Sequence, residues 1–129
     1  MSLVVVPPAD DQARAAREAD AAARLLDAGA GTLPRAPWLR GAQPPAAADL
    51  VRFALWRAGT GDLDDDALLA ALALLPAVRA EADQLEAGLL LTARATGLSW
   101  SRISAALGLA SPQAAQQRFD RVSSRVEER

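Results

Sequence analysis

The chain has 129 residues, 51% of them apolar and 23% charged, and a formal net charge of -2. Its 14 basic residues are all arginine, and lysine, histidine and cysteine are absent. The apolar content suits one domain-sized core. Without cysteine there is no disulfide framework, thiolate zinc site or thiol nucleophile. Without histidine the commonest general base and metal ligand are missing, and without lysine so are Schiff-base chemistry and the P-loop cation. The carboxylates converge on no motif, so the expectation is a non-catalytic protein needing no cofactor and no metal. Leu3 to Val6 is a short apolar run with no basic flank, unlike a signal peptide. No apolar run approaches the roughly 18 residues of a membrane helix. A cytoplasmic, nucleoid-associated location is therefore expected.

In chain order, residues 10–27 read as a helix, with Ala15, Ala19, Ala22 and Leu26 spaced to form one face. Asp10/Arg14/Glu18 and Asp20/Arg24 are opposite charges four apart on the remaining surface. Residues 29–45 are rich in glycine and proline and read as a linker or long loop. Within it, Trp38 and Leu39 are expected to tether the loop to the body, and a peptide-ligand role for Trp38 stays open. Asp49 is a candidate N-cap for a helix to about Arg57. Leu50, Phe53 and Trp56, with Val51 and Leu55 beside them, predict burial on two sides. Those sides belong to one monomer or to a homodimer that also uses Leu68–Leu75.

Asp64, Asp65 and Asp66 open the next helix, where acids suit the helix dipole. A metal reading is disfavoured because adjacent carboxylates diverge and the calcium-loop spacing is absent. Pro76 either kinks this helix or starts the next. Val78, Ala82, Leu85, Leu89 and Ala93 form a stripe along a helix from residue 77 to about 96, which Gly97 ends. No segment after Val6 alternates like a strand. The expected fold is all-α, with five to six helices. Residues 1–75 form an N-terminal helical or dimerisation part, and 76–129 a second domain.

The informative stretch runs from Gly97 to Val122. Ser99 is a good N-cap, a helix of about eight residues follows, and Ile103, Leu107 and Trp100 or Leu98 turn inward. Gly108 ends it, Ser111 caps another helix and Pro112 occupies its first position. With the preceding helix this makes a trihelical unit with helix-turn-helix geometry. On a helical wheel Ala115, Phe119, Val122 and Val126 share an inner face, expected to pack on Ile103, Leu107 and Leu89. The opposite face carries Gln113, Gln117, Asp120, Arg121 and Ser124, with Gln116 and Arg118 on its flanks. Glutamine suits adenine and arginine suits guanine or phosphate. Ser111 opens a helix N-terminus that suits a phosphate. Arg102 and Arg125 are candidate phosphate contacts, while Asp120 opposes phosphate. The same inner face also fits a short coiled-coil seam.

The pattern Gly97, Trp100, Ile103, Ser104, Leu107-Gly108, then Gln113-Ala114-Ala115 and Phe119, resembles small actinobacterial helix-turn-helix regulators and the region-4-like domains of sigma factors. The resemblance covers about residues 77–126 and departs from the pattern at Pro112 and by the extra turn residue Ala110. It implies a regulator that docks the helix from Ser111 in the major groove of double-stranded DNA. Residues 1–87 carry eight arginines against 13 acids, and residues 88–129 carry six against three. The motif thus coincides with the basic end of an acidic chain. A charge of +3 binds weakly alone, so a homodimer is expected. The alternative is a non-catalytic helical protein–protein interaction module.

Overall fold

The structure, a computed structural model, describes residues 9–37 and 39–128. Among these it contains six α-helices, one 3-10 turn and no strand, in keeping with the all-α expectation. Contacts divide the chain into two units, Met1–Val78 and Arg79–Arg129. The division falls inside a continuous helix.

The first unit holds α1 (Ala9–Asp27), a 3-10 turn (Ala30–Thr32), α2 (Ala47–Gly59) and α3 (Asp65–Ala73). Its core is built from Leu25, Leu50, Phe53 and Leu74, with Ala21, Ala54, Ala67, Ala70 and Ala71 between them. The buried face of α1 is Ala21 and Leu25, flanked by Ala22 and Leu26, and not the expected line through Ala15 and Ala19, which are exposed. Alanines lie on nearly every side of this helix, so spacing alone does not choose a face. The site that buries a whole leucine does, because burial scales with apolar area. Arg24 reaches α3, where it lies 3.5 Å from Asp66. Both side chains are more than half exposed, so this pair adds little stability.

α2 begins two residues before the expected cap. Ala46 occupies the N-cap position without a side-chain bond. Asp49 sits in the first turn, beside the helix dipole, and its carboxylate accepts from Arg52. Leu50 and Phe53 face inward while Leu55 and Trp56 are exposed, so α2 is buried on one side only. α3 starts as expected: the Asp64 carboxylate accepts the Ala67 N–H at 2.7 Å. Its three small residues, Ala67, Ala70 and Ala71, face the core and its leucines, Leu68, Leu69 and Leu72, face outward. Small side chains at a helix contact bring the axes close together. Leu39 lines a groove with Leu33, Pro34, Pro44, Phe53 and Trp56. The tether expected at Trp38, like the run Leu3–Val6, lies outside the described residues.

Leu25 and Leu69 give a direct contrast, being 0% and 62% exposed. Leu25→Ala is expected to cost about 2–5 kcal/mol, and Leu69→Ala less than about 0.5 kcal/mol. Denaturant unfolding of the two variants measures both.

Candidate nucleic-acid interface

The second unit is carried by three helices: α4 (Leu75–Ala95), of which it takes residues 79 onward, α5 (Trp100–Leu107) and α6 (Pro112–Glu127). α4 stops where the backbone turns left-handed at Gly97, with φ of 94°. There the Leu98 N–H bonds to Ala93 O and the Gly97 N–H to Arg94 O. These paired bonds satisfy the carbonyls that a helix end leaves open. Ser99 caps α5, its hydroxyl accepting the Arg102 N–H at 3.1 Å.

One buried cluster draws on all three helices: Leu90 from α4, Ile103 from α5 and Ala115 from α6. Ala93, Leu98, Trp100, Leu109 and Phe119 pack around them. The Trp100 and Phe119 rings meet at 5.9 Å and 50°, and the Arg94 guanidinium lies 4.8 Å from the centre of the Trp100 ring. Ala115 and Val122 are fully buried and Phe119 and Val126 half-buried, which is the inner face the spacing predicts for α6.

α4 differs from expectation. Its stripe through Leu85 and Leu89 is 69% and 71% exposed, and Leu90 is buried in its place. Leu89 therefore does not support α6, and Leu107 is only partly covered, at 37% exposure. The Leu90 side also carries Asp83 and Glu86, and both meet arginines of α6. Arg118 Nε donates to Glu86 Oε1, and Arg125 Nε lies 3.5 Å from Asp83 Oδ2.

The α5–α6 connection is tightly specified. Gly108 is left-handed, with φ of 72°. The Gly108 N–H bonds to Ala105 O, and the Leu109 N–H to Ser104 O at 2.9 Å. The Ser111 hydroxyl then caps α6 by accepting the Ala114 N–H at 3.2 Å. Pro112 has no N–H, so the α6 terminus offers a phosphate less than an uncapped helix does.

The sequence-derived candidates fall into two sets. Gln113, Gln116, Gln117 and Arg121 are exposed along the outer face of α6, and Arg102 is exposed on α5. Among the described residues, the side chains of Arg102 and Arg121 make no ion pair. Arg118 and Arg125 are instead bound to acids of α4, and Ser111 is spent on capping. The folded unit is also less basic than the 88–129 segment. Residues 79–129 hold seven arginines and six carboxylates, for a net charge of +1, because Glu81, Asp83 and Glu86 belong to it. Spacing placed Arg118 and Arg125 on α6 but did not reveal that acids some 30 to 40 positions earlier meet them. No group of three or more acidic side chains among the described residues is arranged to hold a metal ion. No described helix is long and apolar enough to cross a membrane.

Comparison with protein families, with known proteins and with solved structures finds no match.

A double-mutant cycle on Arg118→Ala and Glu86→Ala is expected to give a favourable coupling in thermal unfolding. Arg121→Ala should leave the melting temperature within error. Equal effects of Arg118→Ala and Arg121→Ala would contradict the division into latching and outward-facing arginines.

Proposed function

We propose that the second unit is a helix-turn-helix DNA-binding module of a non-catalytic transcriptional regulator, with α6 as the helix that enters the major groove. One observation carries this: a capped helix set across a glycine turn from α5 presents Gln113, Gln116, Gln117 and Arg121 on one exposed face. These side chains can bond base edges, glutamine to adenine and arginine to guanine. Arg102 on α5 supplies a phosphate contact that fixes register. Arg118 and Arg125 hold α6 on α4 and are not assigned to DNA.

A net charge of +1 supports only weak binding by one copy, since affinity follows the number of phosphates neutralised. The proposal therefore includes a homodimer. Leu50 and Phe53 are spent in the chain's own core, so the expected interface through them is revised. Trp56, Leu68, Leu69 and Leu72 remain exposed in the first unit. The near-neutral second unit and its exposed Leu85 and Leu89 favour a second reading, a helical module that binds another protein.

Fluorescence anisotropy of a labelled duplex across a salt series separates the two. DNA binding predicts affinity that falls steeply with salt, and each phosphate-binding arginine removed should lower the logarithmic slope by about 0.9. Arg102→Ala is expected to flatten the slope by about one such step, and Arg121→Ala to weaken binding with little change in slope. No binding to duplex at low salt would reject the proposal and leave the protein-interaction module. Light scattering showing a strict monomer at tens of micromolar would remove the homodimer.

A further inference from the structure

Ser104 is the one buried polar residue among the described residues, at 3% exposure, and it lies in the middle of α5. A helical serine ordinarily points to solvent or bonds back to the carbonyl one turn earlier. This one reaches forward across the turn. Its hydroxyl lies 2.7 Å from Ser111 O and 3.2 Å from Leu109 O. A hydroxyl has one proton, so the shorter contact to Ser111 is the principal bond. The residue's own carbonyl accepts the Leu109 N–H at 2.9 Å. The Ser111 carbonyl is in turn the acceptor for the Ala114 and Ala115 N–H groups that open α6. One residue of α5 therefore holds both sides of the turn and bonds to the atom from which α6 is built.

We infer that Ser104 is a positioning residue for α6, its hydroxyl setting the direction in which the outer face of that helix is presented; this rests on the proposed DNA reading. The bond spans seven residues and links two helices across a four-residue connection. Gly108 fixes the local bend, and Arg118 and Arg125 anchor the helix further along. Among the described residues, no other side-chain hydrogen bond joins α5 to the start of α6. Base readout depends on placing a few side chains against base edges, whereas phosphate contacts tolerate displacement because they carry no sequence information. Loss of the hydroxyl should therefore act on discrimination between sequences more than on affinity for DNA in general.

The test is Ser104→Ala in the full chain. Alanine is the better helix former, so α5 itself is not weakened by the change. Amide hydrogen exchange follows the turn, and anisotropy measures binding to a random duplex and to the tightest duplex selected by the wild-type protein. Expected are faster exchange confined to residues 109–115, random-duplex affinity within about twofold, and discrimination reduced at least about fivefold, the scale of one bidentate base contact. Unchanged discrimination, or equal loss on both duplexes with faster exchange throughout the unit, would overturn the inference. A wild-type protein that binds no duplex would overturn it together with the DNA reading, and the exchange data would then report on the Ser104 bond alone.

Discussion

The second unit depends on how the chain reverses between Leu107 and Pro112. Two helices joined by so short a connection have little freedom, and what remains is removed in three ways. A left-handed glycine bends the backbone where a side chain would be strained. The two bonds at the α5 end satisfy carbonyls that would otherwise be open. The Ser104 hydroxyl then reaches across to the start of α6. The cap at Ser111 and the proline after it follow, since Pro112 suits a first helical position and no later one.

Charge sets the other end of α6. Arg118 and Arg125 are drawn onto Glu86 and Asp83, on the side of α4 that also buries Leu90. Stripping two arginines from the proposed DNA face leaves a narrow surface of three glutamines and Arg121, with Arg102 on the neighbouring helix. Such a surface favours reading base edges over gripping the backbone. On the proposed reading it also shifts the demand for affinity onto a second copy. The exposed leucines follow a related logic: in α3 the alanines are taken up inside, so large apolar side chains are left outside.

Punctuation was the most legible layer of the sequence. Ser99, Gly108, Ser111 and Pro112 set the limits of α5 and α6, and Asp64 and Gly97 the start of α3 and the end of α4, because caps and left-handed glycines act locally. Helix faces were legible only where one side was apolar, as along Ala115, Phe119, Val122 and Val126. In α1 and α4 apolar residues lie on two sides, and tertiary partners made the choice. The site followed the same division. The outward direction of Gln113, Gln117 and Arg121 came from local periodicity. The diversion of Arg118 and Arg125 came from acids on another helix, and the role of the Ser104 hydroxyl needed the path of the turn.

On the proposed reading, the outer face of α6 reads duplex DNA by its base edges. Selection of bound sequences from a random duplex pool tests this most directly. A short motif should be enriched, and its preference at one position should change in Gln117→Ala. A pool that stays flat after repeated rounds would contradict it.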